Sequence, residues 1–383
     1  RLFKPDAPYV KALDLFGAEN LVVEAEGAIL LLEGWYEVVS IDKAREVTIK
    51  GLSIVYRRPP NTVGKITKLN EGSFDMQIDP ERYFYLDKDV TGRVHYVDAM
   101  RERLYTGGRV SGKELLSKDM IRIYTDFRPS TGDFCVLRHS GHYRPAIMIK
   151  ESSDIYIEGV KIHSQPGMGV VGHLSENITL ENLQVIPEAG MIISTNTDAT
   201  HFTSCKGEIV IENCKFGGQG DDCTNIHNYY YTIVPQTKRS VEIKIQNADL
   251  HALSLDYPDV GDTLLVVNRS NLMEKEHFIV EQVDTSTVDW RVSVTLNKDW
   301  LIGSPDLYYM TNITRRPSVR ITNNTVKSHL ARAFLIKSRN VLINKNVIQN
   351  STGTAIQLGA EAGWRESGPV ENVLIENNWI SGC

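Results

Sequence analysis

The sequence is poor in the features that mark several large protein classes. It holds 5 cysteines in 383 residues; none forms a Cys-x-x-Cys pair or has histidines at zinc-ligand spacing, so neither a zinc module nor a dense disulfide framework is indicated. Cys205, Cys214 and Cys223 recur every nine residues, which leaves a disulfide among them open, but the odd total favours buried free thiols, Cys135 and Cys383 included. No apolar run reaches the eighteen residues of a membrane-spanning helix, and no charged-then-apolar leader opens the chain, so no membrane insertion is expected; a removed export signal would leave no trace. Basic blocks, an arginine-rich arm and a Walker-type glycine loop are all missing. With a formal net charge of −6, these absences argue against nucleic acid and phosphate ligands.

What the chain has is a repeat. An aliphatic residue at position 0, another at +2, a third residue at +5 and an apolar residue at +7 recur as Val47, Ile49, Leu52, Ile54; Ile155, Ile157, Val160, Ile162; Ile178, Leu180, Leu183, Val185; and Ile209, Ile211, Cys214, Phe216. Later copies start at Val319, Val341 and Val373, and a weaker one at Leu21. Period two gives an inward strand face, and the three-residue step from +2 to +5 requires a bend into a second sheet. Spacings of 22, 23, 26, 31 and 32 residues between copies suit coils with loops of unequal length. The fold class expected is therefore all-β: a right-handed parallel β-helix solenoid. In the last three copies the +5 residue is Asn324, Asn346 or Asn378, which predicts an asparagine ladder along one corner, although asparagine is common in turns anyway.

Two stretches break the repeat. Each carries a Gly-Asp turn before an apolar run, Gly132-Asp133 before Phe134 and Gly261-Asp262 before Thr263, and each is read as a small inserted antiparallel β-barrel module. The expected organisation is first coils over 1–55, an inserted module over 56–150, central coils over 151–227, a second module over 228–316 and C-terminal coils over 317–383. The two modules are expected to wall the groove on either side. The chain opens on Arg1-Leu2-Phe3 and ends inside a template copy, so further coils or a cap are expected beyond these ends.

The chemistry-bearing residues cluster about one coil apart. Asn196-Thr197-Asp198 is followed 23 and 24 residues later by Asp221 and Asp222; one intervening coil would bring the two backbones to roughly 5 Å. Cleaving a glycoside needs one protonated carboxyl group to donate to the leaving oxygen and one carboxylate to activate water or attack the sugar. Asp198, Asp221 and Asp222 supply three candidates. Adjacent aspartates repel, so at least one should titrate above the ordinary range. A solvated Asp-Asp turn is the ordinary reading of Gly217-Gly218-Gln219-Gly220-Asp221-Asp222, and only the upstream Asn-Thr-Asp reverses it. His201 and His227 could bind a sugar hydroxyl or hold an aspartate, Asn225 lies between the second aspartate cluster and His227, and Arg332 and Lys337 could face the groove from a later coil. Trp364 and Glu366 suggest a stacking platform beside a hydrogen-bonding carboxylate. No metal or cofactor is expected.

Thr197-Asp198-Ala199-Thr200-His201-Phe202, Cys205-Lys206-Gly207-Glu208-Ile209, Asp221-Asp222-Cys223-Thr224-Asn225-Ile226-His227, Gly353-Thr354-Ala355-Ile356 and Trp364-Arg365-Glu366-Ser367-Gly368 together resemble glycoside hydrolase family 110. The resemblance runs from about residue 130 onward and more weakly before. It implies a β-helix with barrel insertions, inverting exo-hydrolysis of terminal α-1,3-linked galactose, and a catalytic trio of Asp198, Asp221 and Asp222. The Asn-Thr-Asp and Gly-Asp-Asp pattern also resembles, more distantly, the polygalacturonases of family 28, although the segment from Arg332 to Lys337 is longer than that family's Arg-Ile-Lys. Small residues around Asp221 depart from the commonest family-110 wording, which bears on the exact substrate. The alternatives are a hydrolase or lyase of acidic polysaccharide and a non-catalytic carbohydrate-binding solenoid. A terminal α-galactoside is the expected partner, with a homodimer compatible and a periplasmic or extracellular location expected. For an inverting enzyme the donor and the water-activating carboxylate are expected ~6.5–9.5 Å apart.

Overall fold

The computed structural model describes residues 10–84, 94–100, 102–139, 143–244, 256–286 and 291–383; Arg1, Leu2 and Phe3 lie outside them. Among the described residues the regular structure is strand, with two single-turn 3-10 segments. Three parallel sheets run the length of the molecule, and successive strands visit them in turn, which makes a parallel β-helix. Its crossovers take the right-handed sense that twisted parallel strands impose. The first sheet includes Tyr36–Asp42, Ile147–Lys150, Val170–His173, Thr200–Thr203, Thr224–Tyr229 and Phe334–Ile336. The second and third sheets carry the first and second halves of each template copy.

The template's inward positions stack in register. Ile49, Ile157, Leu180, Ile211, Ile321 and Ile343 form one aliphatic column, fully buried, and each side chain contributes on the order of 1.5–3 kcal/mol by burial. The bend between sheets falls at +4. Gly51, Gly159, Asn182, Asn213, Asn323, Lys345 and Asn377 all have φ between 53 and 74°. That left-handed conformation explains why glycine and asparagine recur there. At Gly51 a Cβ would lie 2.6 Å from the Glu26 Cα, so this corner also needs the missing side chain.

The asparagine ladder forms at +5. Asn346 donates from its backbone N and Nδ2 to Asn378 Oδ1, both at 2.9 Å, and from Nδ2 to the Ile321 carbonyl. Its Oδ1 accepts from the Asn324 backbone N at 2.9 Å and Nδ2 at 3.0 Å. Asn324 Oδ1 in turn accepts from the Cys214 backbone at 2.8 Å, which ends the ladder where the template changes to a thiol. Asn346→Ala should strand buried partners on both sides and cost about 2–3 kcal/mol, more than the less buried Asn378→Ala; urea unfolding of the two variants measures the difference.

Between the third and first sheets the chain leaves the helix for a seven-stranded antiparallel sheet spanning Asn61–Asn70 to Phe134–Arg138, wrapped around Phe74, Met76, Tyr96, Ile123 and Cys135. Between the first and second sheets it leaves again for six antiparallel strands, from Thr232–Pro235 to Tyr308–Asn312. The Tyr231–Met310 bridge joins the two ends of this sheet and closes it. The shared Gly-Asp signature is one local structure used twice. Gly132 N donates to the Ile66 carbonyl and Ile66 N to the Asp133 carbonyl; Gly261 and Asp262 make the same pair with Val280. Among the cysteines, Cys135, Cys205, Cys214 and Cys223 are buried free thiols, whereas Cys383 is exposed. The nine-residue spacing of three of them follows the coil and makes no cross-link.

Candidate active site

Asp198 and Asp222 sit one turn before consecutive strands of the first sheet. Thr200 pairs with Thr224 and Thr224 with Phe334, so the residue two places earlier is Asp198, Asp222 and Arg332 on three successive coils. The bend before these strands is buried, not a solvated turn. Ser194, Thr195, Asn196 and Gln219 are inaccessible to solvent, and Thr195 bridges both Gln165 and Gln219. Beside Asp221, a Cβ on Gly220 would come 2.5 Å from the Asn196 carbonyl oxygen. Glycine before the Asp-Asp pair is therefore what lets the two coils approach.

One oxygen from each of Asp198, Asp221 and Asp222 lies within 4.8 Å of the others. They line one pocket, open to solvent, together with Met168, Thr197, His201, Asn225, Arg332, Trp364 and Glu366. The three groups thus converge on one spot of the pocket.

Asp222 is held on both oxygens: the Arg332 backbone N donates to Oδ1 at 2.8 Å and Arg332 Nη2 lies 3.0 Å from Oδ2. Arg332 also reaches Glu361 at 3.3 Å. Burial, reinforced by the charges of Asp221 and Glu366, drives Asp198 well above the usual carboxylate range against the opposing Arg332 guanidinium. Burial and the neighbouring aspartates push Asp222 the same way, with Arg332 again opposing. The pair thus retains a proton at a pH where isolated carboxyl groups are ionised. The trio is close enough to enclose a cation, but the Arg332 guanidinium already supplies the positive charge on Asp222. The donor set suits proton transfer better than metal ligation.

His227 and Lys337, expected from sequence to bind substrate, are buried beneath the pocket and are not among the residues that line it. Lys337 is 1% exposed and donates to Glu366 at 2.5 Å and to Asn225 Oδ1 at 3.3 Å, with Glu361 at 3.4 Å. In a dry interior the ammonium needs these partners and has no capacity for a ligand. Burial alone would raise Glu366; the His227 ring and the Lys337 ammonium more than reverse it and hold its carboxylate well below the ordinary range. Burial lowers His201 to about 4 and His227 to about 3 despite the nearby Glu366. Both rings are neutral at physiological pH.

Trp364 is half exposed on the pocket rim. Its loop folds back through pairing of Glu366 and Ser367 with Tyr229 and Asn228. Among the described residues neither inserted module contributes to the pocket lining; each instead contacts a loop of the solenoid. The second presents Tyr309 to the Arg365 guanidinium at 4.5 Å and Thr311 to Ser367 at 2.5 Å. The first accepts Thr352 Oγ1 on the Leu104 carbonyl at 2.6 Å. Sequence reasoning missed Glu361, which ties Arg332 to Lys337. It lies three residues before Trp364 in the same loop, and only the backward turn of that loop brings it to the two cations.

Three convergent carboxyl groups at the mouth of one sheet can both give and take a proton within one pocket. A profile of glycosyl hydrolases family 28 matches residues 133–250. Over 97% of its length the chain is 26% identical to α-1,3-galactosidase B of Bacteroides thetaiotaomicron and 24% identical to α-1,3-galactosidase A of Shewanella woodyi. It spans 64% and 65% of those two proteins. A solved family 28 exopolygalacturonase of Yersinia enterocolitica aligns over 97% of this chain and 51% of its own, with a TM-score of 0.40 and 11% identity.

Proposed function

We propose that the protein is a glycoside hydrolase that removes terminal α-1,3-linked galactose with inversion. The observation that carries this reading is the charge balance of the pocket. Four carboxyl groups, Asp198, Asp221, Asp222 and Glu366, line it, while Arg332, the single cation among its described lining residues, is already committed to Asp222 and Glu361. A uronate would bring a further negative charge with no cation to receive it, whereas a neutral hexose needs hydroxyl partners and an aromatic face. Asp198, Asp221 and Asp222 supply those partners, and Trp364 offers the face. The similarity to α-1,3-galactosidases supports the linkage. The Trp364 loop over one end of the pocket favours exo attack.

In this scheme one carboxyl group of the trio protonates the leaving oxygen, while another, pinned by Arg332, takes the proton of the attacking water. Incubation with a blood-group B type trisaccharide and, in parallel, oligogalacturonides decides the substrate. Free galactose from the first and no cleavage of the second is the expected result. Internal shortening of oligogalacturonide, the acidic-polysaccharide alternative, would replace the proposal. Proton NMR of the first-formed galactose should show the β-anomer, and an α-anomer would refute inversion.

A further inference from the structure

Beneath the pocket floor runs an unbroken chain of hydrogen bonds whose direction is fixed at one end. His227 Nδ1 is 2.7 Å from the Asn228 backbone carbonyl, which can only accept, so Nδ1 carries the hydrogen. A neutral His227 then has a bare Nε2. That atom lies 3.0 Å from His201 Nε2, so the hydrogen between the two rings belongs to His201, and His201 Nδ1 is bare in turn. His201 Nδ1 is 2.6 Å from Asp198 Oδ2. Two bare acceptors do not approach to that distance, so the hydrogen there is on the carboxyl group.

From this we infer that His201 and His227 are positioning residues that hold a proton on Asp198 Oδ2, so that in the resting site Asp198 is a neutral carboxylic acid presenting its other oxygen to the pocket as an acceptor. The inference rests on the hydrolase reading only for its catalytic meaning; the proton's location follows from the chain together with the burial that keeps both rings neutral. Burial is the largest influence on each group. It disfavours charge on Asp198, as do the Asp221 and Glu366 carboxylates, against the Arg332 guanidinium and the Asp222 backbone N–H. It also disfavours an imidazolium on either ring, as does the Lys337 ammonium, and outweighs the opposing Glu366 carboxylate. The Tyr229 ring packs edge-on against His227 at 5.1 Å, and His227 packs likewise against His201 at 5.0 Å, so neither ring can turn over to reverse the chain without clearing its neighbour. Of the three aspartates, Asp222 is stabilised as the carboxylate by Arg332 and Asp198 as the acid by His201. The proton that the Asp198–Asp222 pair retains thus lies on Asp198.

The test is nitrogen-15 NMR of the histidine rings in the intact wild-type chain near pH 7, without substrate. We expect His227 as the Nδ1–H tautomer and His201 as the Nε2–H tautomer, with both patterns unchanged in Asp198→Asn, whose amide also donates to His201. A doubly protonated His201, or His227 as the Nε2–H tautomer, overturns the inference. The functional arm is the pH profile of kcat/KM. His227→Leu removes the acceptor for His201 Nε2–H, so the ring should switch to Nδ1–H and stabilise the Asp198 carboxylate. The alkaline limb, where the retained proton is lost, should then move to lower pH by about one unit or more, and His227→Gln, with an oxygen that can accept, should restore it. A lower kcat with an unmoved limb in a folded His227→Leu would mark a purely structural role and overturn the inference. Should α-galactosides prove not to be substrates while the tautomers are as stated, only the hydrolase reading falls.

Discussion

Asp221→Asn and Asp222→Asn should each lower kcat/KM by about a hundred-fold to ten-thousand-fold while melting within a few degrees of wild type. The size follows from chemistry that an amide cannot perform. Asparagine keeps the volume and much of the hydrogen bonding of aspartate but can neither deliver nor take the reacting proton. At position 222 the amide would still accept from the Arg332 backbone N, now 2.8 Å away, so the fold survives, but the carboxylate that Arg332 holds ionised is gone. Asp198→Asn should be the mildest of the three. Its amide reproduces the hydrogen given to His201 and its oxygen still faces the pocket, whereas Asp198→Ala leaves the His201 ring bare and should fall to the level of the other two. The kinetics use a B-type trisaccharide, with circular dichroism melting as the control for folding. Equal, near-wild-type rates in Asp221→Asn and Asp222→Asn would remove the catalytic assignment altogether.

The solenoid was readable because its signal is repetition. Ile49, Ile157, Leu180 and Ile211 recur at one offset, and parallel stacking turns equal offsets into vertical neighbours, so a one-dimensional pattern maps directly onto a column. The proximity of Asp198 to Asp222 follows from the same rule. Features depending on where unequal loops travel were not readable. The Trp364 loop had to be folded back across the strand Thr224–Tyr229 before Glu361 and Glu366 could neutralise Arg332 and Lys337, and nothing in the local sequence encodes that reversal. Lys337 shows the difficulty well. Alternation placed it on the outer face of its strand, where lysine is ordinarily solvated, yet the returning loop covers it. The roles of His201 and His227 were hidden for another reason. They depend on a backbone carbonyl, that of Asn228, setting the direction of a hydrogen-bond chain, and residue types alone carry no such direction.

Lys337→Ala should be the most destabilising single change near the site, at about 3–5 kcal/mol. The ammonium is the closest positive charge to Glu366, at 2.5 Å, and one of the two cations on Glu361. Removing it leaves the Glu366 carboxylate buried against the neutral His227 ring, and a stranded buried charge costs far more than the net worth of the pair. Replacing both partners, as Lys337→Met with Glu366→Gln, should recover most of the loss, because the penalty belongs to the unpaired charge and not to the missing bridge. The pH dependence gives a second handle with a definite sign. Glu366 titrates below its ordinary value in the folded protein, so the unfolded chain takes up its proton first as pH falls. The stability this residue contributes is complete above about pH 4.5 and is lost as pH falls through the folded-state value. In Lys337→Ala that contribution should shrink or reverse, so lowering the pH towards 4.5 should relieve part of the variant's deficit relative to wild type. Urea unfolding of wild type, Lys337→Ala and the double variant at neutral and mildly acidic pH measures both effects. A Lys337→Ala protein as stable as wild type at neutral pH would show that Glu366 finds another cation or takes a proton at little cost, and that Lys337 does not hold the Trp364 loop against the sheet.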